Sequence, residues 1–571
     1  MRKFLKTFDN HSQYDDFTGT TEFILPNVSH CITENEVHYN PTIKVTGVTL
    51  NKSTLSLSEG GTSTLVATVL PNDASNKNVI WRSSNESVAT VDSNGVVSGV
   101  SIGSADITVA TEYGGFTAQC TTNVKSYKVI TYAASAKLSE TTSTDGTAGL
   151  HTNAFSGTNG QQLTMVSHIF DDGVGTITFN DTIKTVGNYA FYNCSNLTSI
   201  DIPDSVTSIG YSAFYYCSGL TSIDIPDSVT SIGNYAFQYC YSLTSIDIPG
   251  GVTSFGGYVF NSCTGLTSCT IGSGATSIGS AAFSACTSLT SIDIPDSVTS
   301  IGSGAFYNCS GLTSIDIPSG VTSIGNGTFN GCSSLTRLNS DVDGVFNIPS
   351  GVTSIGSSTF RECRRLTSID IPSGVTTIGT SAFTYCTGLT TCIIGSGVTN
   401  IGDRAFESCR SLTSIDIPSG VTSIGSGAFN GCYGLTSMTV DSNNTVYDSR
   451  NNCNGIINTS TNTLIAGCKT TIIPDSVTSI GNSAFFECSS LTSIDIPSGV
   501  TSIGDRAFYH CTSLTSIVSN ATTAPTIQSS TFQGVGTNGT LTVPIGSSGY
   551  DVWMDTSNYY LGKYNWTKVE Q

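Results

Sequence analysis

The sequence predicts a mainly β protein, a solenoid of 23-residue repeats preceded by a small β-sandwich. The first observation behind this is recurrence. Residues 190–212, AFYNCSNLTSIDIPDSVTSIGYS, return almost unchanged at 213–235. Phenylalanine then marks the same place at 191, 214, 237, 260, 283, 306 and 329, at 360, 383, 406 and 429, and at 485 and 508. A fixed period of this length belongs to a chain whose repeats bury their apolar side against their neighbours. The second observation is local pattern. In S-I-D-I-P the isoleucines alternate with a polar residue, as in a half-buried strand, and the proline ends it. V-T-S-I-G reads as a second short extended piece closed by a glycine turn, and A-F-x-x-C as one helical or 3₁₀ turn that drops Phe and Cys into the core. The third observation lies upstream. Between 43 and 126, alternating apolar runs are separated by turn clusters every 8–12 residues, the pattern of a sandwich.

In chain order, residues 1–42 show no period and read as an irregular head or docking segment. Residues 43–126 form the sandwich, with Trp81 in its core and a turn at Asn94-Gly95. Residues 127–168, containing SETTSTDGTAG, read as a linker and lead-in to the solenoid. The solenoid occupies 169–535. It starts with a degenerate repeat in which Ile177, Phe179, Ile183, Val186 and Gly187 precede Ile200, Ile202, Val206, Ile209 and Gly210 by one period. Insertions interrupt it at 335–349 and 440–474. In the second, GIIN and TLIAGC flank a Ser/Thr/Asn turn and predict a hairpin. Residues 536–571 lose the period, gain Trp553 and Trp566, and read as the cap of the last open edge.

These motifs resemble known families. WRSSNESVATVDSNGVVSGVSIGSADITV, residues 81–109, resembles the bacterial Ig-like domain of group 2, usually a spacer or adhesion module. The consensus A-F-x-x-C-x-x-L-T-S-I-D-I-P-x-x-V-T-S-I-G resembles the BspA-like leucine-rich repeat, with its L-x-x-I-x-I core here at Leu197, Ile200 and Ile202. The head segment ILPNVSHCITENEVHYNP is similar to the N-termini of structural proteins of gut bacteriophages. Together these resemblances imply a non-catalytic surface adhesion or binding protein that recognises a protein or glycan on a cell surface. MRKFLKTFDNHSQYDDF has no apolar stretch after its basic start, so no secretory signal is expected. The expected location is a phage virion surface or an extracellular bacterial surface. A passive stalk or an ice-binding solenoid with Ser/Thr ladders is the structural alternative.

Composition narrows the partners. A net charge of −19 with only short basic clusters around Arg364, Arg404 and Arg506 argues against nucleic acid, and no run of 18 apolar residues predicts a membrane span. The six histidines are scattered, so no catalytic residues are assigned and an enzyme is not expected. His30, Cys31 and His38 match no standard zinc spacing. Asp341 and Asp343 lack the later ligands of a calcium loop. No metal or cofactor is assigned. Thirteen of the nineteen cysteines sit three residues after the repeat phenylalanine. Stacked repeats point them in parallel, so they are expected to be buried free thiols. The candidate binding residues are of two kinds. Asp201, Asp224, Asp247, Asp293 and Asp316 stand between inward isoleucines and face outward as a column of negative charge. Tyr215 and Tyr239 lead a second group with Tyr192, Tyr216, Tyr307, Tyr385 and Tyr509 around the A-F-x-x-C turn, which varies most between repeats.

Overall fold

The computed structural model describes residues 43–125, 128–142, 146–340 and 342–571. The head, with His30, Cys31 and His38, lies outside these residues. Contacts divide the chain into two units: the first ends at 127 and also takes in Pro203–Ser205, and the second comprises Lys128–Ile202 and Val206–Gln571.

The first unit is a β-sandwich. One sheet orders Thr54–Ser58, Thr117–Lys125, Gly103–Thr111 and Val79–Ser83; another orders Thr62–Thr64, Val96–Gly99 and Ala89–Val91. Leu57, Leu65, Val97, Ile107 and Cys120 fill its core. Trp81 is half-buried and packs against both of the unit's apolar clusters. Gly95 has φ +80, and a Cβ there would meet the Leu65 carbonyl at 2.4 Å and the Trp81 ring at 2.8 Å. Only glycine fits that turn.

The second unit is the solenoid, and each rung has three sides. On one side the S-I-D-I strands stack in parallel, Ile246 opposite Cys269 and Ile369 opposite Cys392. On the second, the S-I pairs before the glycine form a twelve-stranded sheet from Phe155–Ser156 to Ser423–Ile424. The glycine that follows is fixed by crowding: a Cβ on Gly233 would lie 2.7 Å from the Gly210 backbone of the rung before.

The third side differs from the expected helical turn. A-F-x-x-C is a run of tight turns with two left-handed residues per rung, such as Tyr235 (φ 59) and Tyr239 (φ 63). This geometry splits the N–H groups between two uses. Those of Tyr235, Phe237 and Tyr239 donate to carbonyls of the next rung at 2.9–3.0 Å, while those of Gln238 and Cys240 close bonds within the turn at 3.2 Å. A helix would keep its N–H groups within itself and leave the next rung nothing to pair with.

Phe, Leu, Ile, Val and Cys of every rung meet inside. From Phe191 to Phe429 the rings stack at 5.2–5.7 Å between centroids. The first insertion supplies an additional strand, Val345–Asn347, between Arg337–Leu338 and Ser368–Ile371, with Phe346 buried in the core. Asp343 pairs there with Arg337 Nε and accepts from Thr336 Oγ1, both at 3.3 Å, while Asp341 lies outside the described residues. The second insertion forms the expected hairpin, Gly455–Asn458 against Thr463–Gly467.

Both solenoid ends are covered. Val129–Ala134, within the stretch that composition marks as linker, threads between Val174–Phe179 of the degenerate repeat and Leu197–Asp201 of the first full one. It carries Ile130 and Tyr132 into the core, which composition averaged over a Ser/Thr-rich stretch conceals. At the other end Thr540–Val543 and Thr567–Glu570 extend the strand ladder, Trp553 packs on Phe532, and Trp566 Nε1 donates to the Gly536 carbonyl.

The first cap holds a hydrogen-bonded relay that runs from the exposed Glu140 to the buried Tyr132. Glu140 Oε1 lies 2.7 Å from His168 Nδ1, and His168 Nε2 lies 2.6 Å from the Tyr132 hydroxyl, which also accepts from Leu138 N–H. Burial holds the His168 imidazole below its ordinary value. The folded ring therefore takes up a proton less readily than the unfolded one, so the cap keeps its full stability above about pH 6.5 and loses it as pH falls below.

Two predictions follow from this packing. Phe283→Ala removes a fully buried ring from the middle of the stack and should cost about 3–5 kcal/mol, with protease cuts spreading outward from that rung; an unchanged melting and cleavage profile would contradict the register. Amide exchange in Val129–Ala134, corrected for its intrinsic pH dependence, should accelerate between pH 7 and 5, and His168→Gln should abolish the pH step. A step that persists in that variant would remove His168 as its cause.

Candidate binding surface of the solenoid

The aspartates stand where the alternation places them. Asp201, Asp224, Asp247, Asp293 and Asp316 are exposed between buried isoleucines. Their column is less continuous than the repeat suggests. Asp201 is in register with Asp224, and Asp293 with Asp316, but Thr270 stands between Asp247 and Asp293. Farther along, Asp370 faces Asn347 on one side and Ile393 on the other, and Asp416 accepts from Thr439 Oγ1. Two threonine ladders flank the strand sides. Thr221 Oγ1 donates to the Thr198 carbonyl, Thr244 to Thr221 and Thr267 to Thr244, and a second series runs through Thr230 and Thr276. These hydroxyls reinforce the stack instead of presenting their protons to solvent.

The tyrosines gather more strongly. Tyr192 stacks on Tyr215 at 4.8 Å and 2°, and Tyr215 meets Tyr239 edge-on at 5.4 Å. Tyr216 contacts Tyr239 and Tyr241 at 5.8 and 5.7 Å. A second row, Tyr189, Tyr211, Tyr235 and Tyr258, continues the surface with successive rings 5.0–5.5 Å apart. Five of these residues were not singled out from the sequence: Tyr189, Tyr211, Tyr235, Tyr241 and Tyr258. Four recur at 22–24-residue spacing just before A-F, a signal hidden because that position varies in identity. Conversely, Tyr307, Tyr385 and Tyr509 lie outside the patch. Tyr385 lies under Arg361, and Tyr509 stacks on Phe486 and His510.

The patch is electrically neutral. Its four turn segments, 187–197, 210–220, 233–243 and 256–266, contain no charged residue, whereas the segments at 356–366 and 402–412 carry Arg361, Glu362, Arg364, Arg365, Asp403, Arg404, Glu407 and Arg410. Burial among the other rings, and then the charges neighbouring phenols would carry, push the Tyr189 and Tyr215 hydroxyls up, so they remain protonated donors. Tyr211, Tyr216 and Tyr258 are each 39% exposed.

Backbone geometry adds a cost. Tyr189, Tyr216, Tyr235, Tyr239 and Tyr258 all have φ between 57 and 63. The equivalent positions in later rungs include Gly304, Gly327, Gly331, Gly427 and Gly431, with φ 63–79. A side chain in this conformation costs roughly 1–2 kcal/mol relative to glycine.

The cysteine column is a second feature the sequence only half revealed. The eighteen described cysteines are buried and unpaired by disulfides. They do more than fill space: Cys217 Sγ donates to the Phe191 carbonyl at 3.0 Å, Cys240 to Phe214 at 3.2 Å, and Cys286 to Phe260 at 3.1 Å, each 26 residues back. Burial pushes the Cys263, Cys309 and Cys432 thiols up to about 12.

The stacked repeats form a β-solenoid, and no helix among the described residues is long and apolar enough to cross a membrane. Its repeats match the BspA type leucine rich repeat region over residues 170–284, 256–343, 344–455 and 462–548, and the chain belongs to that family. Residues 44–122 match the bacterial Ig-like domain of group 2. The family and fold are those of non-enzymatic binding proteins found at cell surfaces. The chain is 30% identical to a leucine rich cell surface protein of Faecalibacterium prausnitzii A2-165, covering 62% of this chain and 86% of that one with a TM-score of 0.37. It is 49% identical over 83 residues to an alpha-L-arabinofuranosidase of Bifidobacterium longum and 45% identical over 75 residues to a minor capsid protein of Enterobacteria phage T3, covering 14% and 13% of this chain. The chain spans 8% of the length of the first of these curated relatives and 17% of the second.

The neutral, buried thiols should resist a thiol reagent at pH 8 in the folded protein and react fully on unfolding. Cys432 and Cys488, each 7% exposed, should be the first of the column to react. Mass spectrometry finding Cys194 linked to Cys217 would contradict the free-thiol column.

Proposed function

We propose that this chain is a non-catalytic surface-binding protein that recognises a protein or glycan on a host surface through its tyrosine face. One observation carries the reading: tyrosines of four successive rungs bring their rings into contact as one uncharged patch on the turn side. Packing does not require those rings, because rungs bearing Gly304 or Gly327 stack without them. Left-handed residues recur along the whole array, so what sets these rungs apart is that their turn residues are tyrosines with partly exposed rings in mutual contact from one rung to the next. The chemistry agrees. Tyrosine offers apolar area and a polar tip, and rings wedged by neighbours lose little freedom on binding. The aspartate column is the secondary candidate, since rows of like charge create a field that attracts cations or basic groups. Display on a bacterial surface is supported by the likeness to a cell surface protein, and display on a virion by the likeness to a capsid protein and by the head motif.

The test separates binding from folding. Tyr216→Gly, Tyr239→Gly and Tyr258→Gly combined should leave the melting temperature equal or higher, because the strain is relieved. The same variant should lose the signal that the parent chain gives on an array of cell-surface glycans and extracellular-matrix proteins. Replacing Asp201, Asp224 and Asp247 by Asn serves as the comparison. Full retention by the tyrosine variant, with loss in the aspartate variant, would move the site to the strand side.

A further inference from the structure

Among the described residues, the phenylalanine stack has one interruption. Ring contacts run from Phe191 to Phe429 and resume from Phe485 to Phe532. Phe429 and Phe485 are not in ring contact but line a common cavity of about 330 Å³. The inserted hairpin wedges the rungs apart there, with Ile456 in the apolar cluster before the break and Ile457 in the one after it.

The hydrogen bonds report the same gap. In an ordinary rung Gly304, Phe306 and Asn308 N–H donate to the carbonyls of Asn326, Thr328 and Asn330 at 2.8, 2.9 and 2.7 Å. At the break only the third bond survives, from Gly431 to Phe486 at 3.1 Å. The Ala484 carbonyl, the counterpart that Phe429 would use, is taken by Gly467 N–H at 2.8 Å. The N–H groups of Gly427 and Phe429 find no acceptor among the described residues, and both residues line the cavity. Phe429 is 8% exposed and Cys488 7%, against 0% for Phe306 and Cys309, so the gap opens to solvent.

These features specify an occupant. The two unanswered donors, two residues apart, are two of the three that each rung offers the next, and the group that answers them is a backbone with carbonyls at the same spacing. Beside the phenylalanine column, Phe429, Phe485, Ile465 and Ala466 line a part of the cavity that takes one aromatic or large aliphatic side chain. None of the lining residues is charged, so the entering group is neutral. We propose that the gap between the Phe429 and Phe485 rungs is a binding site for a segment of another polypeptide, which enters as a substitute rung. Its carbonyls accept from Gly427 and Phe429, and its anchor side chain fills the space between the two rings. Backbone pairing gives affinity and the pocket gives selectivity, the division of labour seen when a strand is added to a sheet edge. This site is independent of the tyrosine face.

The probe is a labelled peptide with the sequence of residues 302–312, GSGAFYNCSGL, carrying Cys309→Ser to prevent oxidation. Fluorescence anisotropy with the full chain should show saturable binding, weakened about tenfold or more when the peptide carries Phe306→Ala. Ala466→Phe in the chain fills the cavity and should weaken binding comparably. If that variant melts early, Ile465→Trp blocks the mouth instead. A peptide that fails to bind at millimolar concentration, or that binds the filled and parent chains equally, overturns the proposal. So does a gap that accepts indole or toluene but not the peptide.

Discussion

Everything in the solenoid depends on a hydrogen bond handed from each rung to the next. On the two strand sides this is ordinary parallel pairing. On the turn side it requires every second N–H to leave its own rung, and the two left-handed residues of each turn, four apart, turn the backbone so that it does. The left-handed residues are therefore a condition of stacking and not local defects. Once they are in place the phenylalanine, cysteine and leucine of each rung fall above those of the last, and the core extends along one axis with no limit set by surface-to-volume scaling.

The same constraint explains what the sequence disclosed. Period, strand alternation and the glycine were legible because buried positions repeat in identity. The turn was misjudged because A-F-x-x-C has the length of a helical turn, and the left-handed positions accept Tyr, Ser, Ala, Asn, Glu, Arg or Gly, leaving no residue signature. Val129–Ala134 was hidden for a different reason: a strand that caps the array pairs with it antiparallel and so stands outside its period. The cysteine column was legible as burial but not as hydrogen bonding. A thiol that donates to a carbonyl 26 residues back is invisible until the rungs are stacked.

The candidate surface divides along the same line. Asp201, Asp224 and their equivalents were readable because they sit inside an invariant strand motif. Tyr189, Tyr211, Tyr235 and Tyr258 were not, because they are aligned by geometry at a position whose identity drifts. The residues easiest to find in a repeat protein are thus those that build it, and those that distinguish one rung from another need the structure to bring them together.

That division has a consequence for how such a chain acquires specificity. Because the turn-side hydrogen bonds are made by backbone, an exposed turn residue can change without altering the stack, at a cost set by the left-handed backbone and little else. The first seven turn segments, from 187 to 335, carry no charge in a chain of net charge −19. In the binding proposed for the tyrosines, contact area and directed hydroxyls carry the interaction and long-range attraction contributes little. Such an interface associates without electrostatic steering and owes its strength to a slow off-rate. A rigid scaffold suits this demand, since the rings are already ordered before a partner arrives.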